Sequence, residues 1–180
     1  MKTVKSNFFE IRGHLVIGPT DGGFAVKQGN LLEESVLPRL NTKLQGRRII
    51  LLTPHIFSSY IGCDYVESCI AHVHYHDAEG EGHMLKQFDQ YLQFTRSGNQ
   101  WKIEEPPPAT LADQLNFFLN QHPELELVRP YYGEGNAIMH GDENMISHQV
   151  LFAEVKEKEK AKAPTAKDLE KIKAESQGVV

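Results

Sequence analysis

Histidines at every second position mark one stretch of this chain, His72-Val73-His74-Tyr75-His76-Asp77, with Glu79 and His83 close behind. In an extended strand, side chains two apart share a face, so His72, His74 and His76 are expected to line up opposite the row Cys69, Ala71, Val73 and Tyr75. A His-x-His pair on a strand can converge on one divalent ion, and zinc or iron would accept its imidazole nitrogens. Glu79 could add a carboxylate, with His83, His140 or His148 closing the set from a distance. An ion held this way would polarise a substrate or activate water, so a metal-dependent enzyme is one expectation. The alternative is a solvent-facing strand whose polar face is simply rich in histidine.

Other chemistries find less support. Cys63 and Cys69 lie near histidines in sequence, but nothing fixes a thiol–imidazole pair or an oxyanion hole. The chain has no G-x-S-x-G elbow, no G-x-x-x-x-G-K-[ST] loop and no C-x-x-C pair. Gly18-Pro19-Thr20-Asp21-Gly22-Gly23 lies where phosphate loops sit, after a strand and before a helix. Its spacing fits neither fingerprint and Asp21 would repel an anion, so a structural turn is expected.

Composition narrows the partners. The chain has 180 residues and a net charge of −5. From Glu154 onward seven lysines face six acids, leaving −6 on residues 1–153. An acidic body is a poor match for polymeric nucleic acid, although a few placed residues could still hold a small anion. No run approaches the roughly 18 to 20 apolar residues of a membrane helix, and the first residues lack the apolar core of a signal peptide. Two cysteines are too few for a disulfide framework. A soluble, cytoplasmic protein with reduced thiols is expected, with no membrane partner.

Positioning these residues falls to a series of elements. Phe8 to Ile17 reads as a strand, and a helix follows between Phe24 and Leu44, with Pro38 expected to kink or end it. Arg48 to Thr53 is apolar on both faces, as for a central strand covered by helices. Tyr65 to Tyr75 is a strand, Met84 to Tyr91 a short helix, and Tyr91 to Thr95 a strand again. Ser97-Gly98-Asn99-Gln100 turns the chain into Trp101 to Glu104, which Pro106-Pro107-Pro108 stops. Thr110 can cap a helix to Asn120, and strands over Glu126–Tyr131 and Ile146–Val155 flank a glycine-rich loop. Strands alternating with helices predict an α/β fold: a single domain, residues 1–155, whose mixed central sheet is covered by helices. Residues 156–180 form a Lys/Glu-rich tail, expected as disordered chain or a marginal helix capped by Thr165, and able to tether a protein partner.

Several of these pieces, in this order, carry a resemblance. Gly23-Phe24-Ala25 with Val36-Leu37-Pro38-Arg39-Leu40, then Arg48-Ile49-Ile50-Leu51-Leu52-Thr53-Pro54, the excursion Tyr91 to Ile103, and Pro108-Ala109-Thr110-Leu111 resemble segments of the cyclic-dinucleotide-binding domain of STING receptors. The resemblance covers about half the chain. It implies a homodimeric module that senses or sequesters a small anionic nucleotide in a shared cleft, without catalysis. In that reading Phe24, Tyr91 or Phe94 stack on bases, Arg96 holds phosphate, and Thr110 bonds a base edge. The ordinary readings of the same residues are core for Phe24 and Phe94, a solvated charge for Arg96 and a helix cap for Thr110. His72-x-His74 with Glu79 is also similar to the first metal motif of cupin barrels, without its flanking glycines.

Overall fold

Alternation of inward and outward side chains, repeated over long strands, organises most of the chain. The computed structural model describes residues 5–20, 23–29, 32–77, 82–103, 109–135, 138–140 and 143–159. Strand β1 (Ser6–Thr20) pairs with β2 (Gly23–Gly29), and helix α1 (Leu32–Leu44) follows. A long hairpin comes next, β3 (Ile49–Ile61) and β4 (Asp64–His76), then a shorter one, β5 (Met84–Ser97) and β6 (Gln100–Ile103). Helix α2 (Leu111–Gln121) precedes β7 (Leu125–Glu134), β8 (Ile138–His140) and β9 (Asn144–Glu157). At the β5–β6 turn Gly98 supplies the positive φ of 63° that a tight hairpin needs.

The strands form two antiparallel sheets. One has the order β2-β1-β4-β3; the other has β6-β5-β9-β7, with β8 also paired to β9. The sheets approach each other along β3 and β7, where a Cβ on Gly133 would meet the Pro54 ring at 2.7 Å and Arg129 donates to the Ile50 carbonyl. Away from that seam α1 packs against β1, β4 and β5, burying Val36, Leu40 and Leu44 between the sheets. Phe9, Ile11, Leu52, Ala71, Leu85 and Phe152 complete this main core. A second apolar cluster lies on the far side of β9, where Leu111 and Leu115 of α2 cover Leu151, Ala153 and Val155. Strand β9 is therefore buried on both faces, with His148, Val150, Phe152 and Glu154 directed inward between the sheets.

The α/β expectation is overturned: the fold is mostly β, with two antiparallel sheets and no helix-covered mixed sheet. Three segments account for the difference. Residues 23–29 are a strand, so the expected helix begins only at Leu32, and it runs through Pro38 to Leu44. The apolar Ile49–Leu52 run opens an edge strand in which Leu51 is 56% exposed, because nothing among the described residues covers that face. Met84 to Tyr91 is strand, not helix. Met84 and Phe88 meet α2 while Leu85 faces the other sheet, so two buried faces imitate a helical period. By contrast β4, the 97–100 turn and the Thr110-capped helix lie where the sequence placed them. Pro106–Pro108 and the helix expected after Thr165 lie outside the described residues.

No helix among the described residues is long and apolar enough to cross a membrane. Phe152 is fully buried where α1 and both sheets meet. Its replacement by alanine should cost about 3–5 kcal/mol, against about 1 kcal/mol for Thr110→Ala at the α2 cap. Urea titration of both variants measures that contrast.

Candidate functional site

Between the sheets the inward rows of β4, β5 and β9 carry several buried polar side chains, and at one level three charged ones meet. There β4 presents Glu67 in the row that continues with Cys69, Ala71 and Val73, β5 presents Asp89, and β9 presents His148. Glu67 and His148 are almost wholly buried, and side-chain exposure of Asp89 is 24%. Tyr91 and His148 are direct cross-strand partners, and their rings stack 4.1 Å apart at 8°. His148 Nε2 lies 2.7 Å from Asp89 Oδ1 and its Nδ1 lies 3.0 Å from Glu67 Oε2, the second being an ion-pair contact without good hydrogen-bond alignment. Tyr65 donates its hydroxyl to Glu67 Oε2 at 2.6 Å, Tyr91 donates to Oε1 at 3.3 Å, and Gln87 Nε2 donates to Asp89 Oδ2 at 2.9 Å.

Electrostatics fix the protonation of the centre. Burial disfavours a charged ring, but the Asp89 and Glu67 carboxylates outweigh it and lift His148 to about 9. The imidazole is thus a cation at neutral pH and a poor general base. Burial, with the Glu67 and Asp89 charges, pushes the Cys69 thiol up to about 12. The same burial raises Tyr65 and Tyr91, with Glu67 adding to both, so these phenols stay protonated donors. No group here is poised as a nucleophile; the arrangement holds charge and directs hydrogen bonds.

Next to this cluster the sheets enclose a cleft of about 490 Å³, lined by Ile17, Tyr60, Tyr65, Phe94, Met145 and Ile146. Gln93, Thr95 and Asn144 add polar atoms to its walls. Tyr65 belongs to both, so its hydroxyl links the cleft to Glu67. Comparisons with protein-family models, curated proteins and solved structures find no match to this chain.

A second buried carboxylate lies six residues along β9. Glu154 accepts from Tyr131 at 2.9 Å and from the Ile49 amide at 3.0 Å, and its Oε1 lies 2.7 Å from His83 Nδ1. These contacts tie β9 and β7 to the start of β3, away from the cleft.

The residues singled out from sequence are distributed unevenly. Tyr91 belongs to the charged cluster and Phe94 lines the cleft. Arg96 is exposed on the β5–β6 hairpin, bonded to the Gly98 carbonyl. Thr110 caps α2, exchanging hydrogen bonds with Asp113 on the other side of that sheet. Phe24 lies on β2. His72, His74 and His76 do share one face of β4, and His72 Nε2 lies 2.9 Å from Glu10 Oε2. Glu79 lies outside the described residues, and His83 and His148 are engaged with buried carboxylates. Among the described residues no three His, Cys, Asp or Glu side chains are grouped to hold a metal ion. Glu67 and Asp89 were not anticipated; Glu67 had a legible sign, standing in the row of Cys69, Ala71 and Val73, whereas Asp89 follows Gln87 in a row already polar.

Stability should follow His148. Its pKa is higher in the fold than the ordinary 6.5, so its contribution is complete below about pH 6.5 and is lost as pH rises through about 9. The thermal midpoint should fall over that interval, and Asp89→Asn should flatten the fall. Glu67→Ala, which leaves His148 with Asp89 as its carboxylate partner but takes the acceptor from the buried Tyr65 and Tyr91 hydroxyls, should cost about 1–3 kcal/mol in a denaturant titration.

Proposed function

We propose that the protein binds a small molecule with an apolar or aromatic body in the cleft between its sheets, and acts by recognition. The observation that carries this reading is the cleft itself, walled by aromatic and aliphatic side chains and joined through Tyr65 to a buried charged cluster. Mostly apolar concavities with a few directed polar groups are the ordinary form of a ligand site. Recognition is favoured over catalysis because the titratable groups beside the cleft are held in unreactive states, with His148 protonated and Cys69 as a thiol.

The same surroundings bear on the ligand's charge. No lysine or arginine lines the cleft, and behind it two carboxylates face one imidazolium. A phosphate placed there would lack a charged donor and would approach net negative charge. A neutral or cationic molecule fits this setting better than the cyclic dinucleotide implied by resemblance. Phe94 lines the cleft and Tyr91 belongs to the adjoining charged cluster, whereas Arg96 and Thr110 do not converge with them.

Titration with the neutral solvatochromic dye Nile red should give saturable fluorescence enhancement, and Thr95→Trp, which fills the cleft from an exposed position, should weaken it at least tenfold. A parallel thermal-shift series with cyclic dinucleotides should leave the midpoint unchanged. No saturable dye binding, together with a dinucleotide shift approaching the roughly 2.7 kcal/mol expected at 100 times a dissociation constant, would return the nucleotide reading to first place.

A further inference from the structure

The cleft between the sheets has two unlike walls. On one, Ile17, Tyr65 and Tyr60 stand side by side at one register level of β1, β4 and β3. The two phenol rings lie 5.6 Å apart and inclined at 61°, edge to face. On the other wall Gln93, Thr95 and Asn144 offer amide and hydroxyl groups, which hydrogen-bond without adding charge. Beyond Tyr65 the carboxylates of Glu67 and Asp89 face a single imidazolium, His148, so one negative charge is left over. The other donors to those carboxylates, Tyr65, Tyr91 and Gln87, are neutral and do not cancel it. Lys27, close to Gly18 beside Ile17, is matched by Asp64 at 2.6 Å.

We infer that the cleft selects an organic cation: an ammonium group, borne on an apolar or aromatic body, seated against the rings of Tyr60 and Tyr65. This rests on the reading of the cleft as a ligand site and adds the charge of the ligand. Three features converge on it. An aromatic ring attracts a cation held within about 6 Å of its centroid, and aromatic-lined sites hold quaternary ammonium groups in this way. Tyr65 donates its hydroxyl proton to the Glu67 carboxylate at 2.6 Å, which polarises the phenol and enriches its ring in electron density. The unmatched carboxylate charge lies behind that ring, where burial weakens solvent screening and lengthens its reach into the cleft. A neutral molecule of the same shape would make the apolar contacts and gain from none of the three.

Nile red bound in the cleft serves as reporter. Phenyltrimethylammonium and tert-butylbenzene share one shape and differ in charge, and each is titrated against the dye at about pH 6, below the ordinary imidazole value. The cation should displace the dye at the lower concentration, although it is the better hydrated of the two. Asp89→Asn, which leaves one carboxylate to one imidazolium, should weaken the cation about tenfold more than the neutral molecule. Tyr60→Leu keeps an apolar wall but removes a ring, and should shift the comparison in the same direction; it decides the matter if Asp89→Asn loses its circular dichroism. Displacement at lower concentration by tert-butylbenzene, or equal losses for both molecules in the folded variants, would overturn the charge assignment and leave the cleft a ligand site. Dye binding that does not saturate would overturn the cleft reading itself and this inference with it.

Discussion

Two carboxylates and an imidazolium, taken out of water between two sheets, constrain the rest of this molecule. Removing such ions from solvent costs several kcal/mol each, so the fold must supply compensation at one place. It does so from three strands at once: Glu67 from β4, Asp89 from β5 and His148 from β9. The phenols of Tyr65 and Tyr91 and the amide of Gln87 satisfy further oxygens. Because β4 belongs to one sheet and β5 and β9 to the other, the cluster sets how closely the sheets can approach there. The neighbouring cleft and the unreactive Cys69 thiol both follow from that placement.

Glu154 repeats the device with different chemistry. Its partners include a backbone amide, a phenol and His83, and they fasten β9 to the beginning of β3 and to β7. The cleft-side cluster is partly open to solvent through Asp89 and Tyr91, whereas the side chains of Glu154 and His83 are 1% and 4% exposed. One ionic cluster thus borders a concavity; the other is sealed and serves to hold strands together.

How far the sequence disclosed this depended on whether a signal was local. The alternation in Tyr65–Tyr75, the Gly98 turn and the Thr110 cap are local, and each appears in the fold. The segments that misled are those whose surroundings come from distant chain. Met84–Tyr91 took on a helical period because α2 and the facing sheet bury it from opposite sides, and Ile49–Leu52 looked central although it lies at an edge. The site was legible only in part. Tyr91 and Phe94 attracted attention as aromatic residues, and the histidine row drew notice by its density. Glu67, Asp89 and His148 are separated by 22 and 59 residues, and only the pairing of β5 with β9 and the meeting of the sheets assemble them.

The two-sided burial of β9 also bears on how the chain finds its own arrangement. Sliding β9 by one residue would exchange its faces, pressing His148 and Glu154 against the leucines of α2 and turning Leu151 and Val155 toward Glu67 and Tyr131. Every such error strands buried charge on one side and loses apolar packing on the other. The strand therefore proofreads its own alignment, and an alternative topology would have to solve two incompatible solvation problems at once. Fidelity of assembly, more than added stability, is what a polar pair on an otherwise oily strand gives this protein.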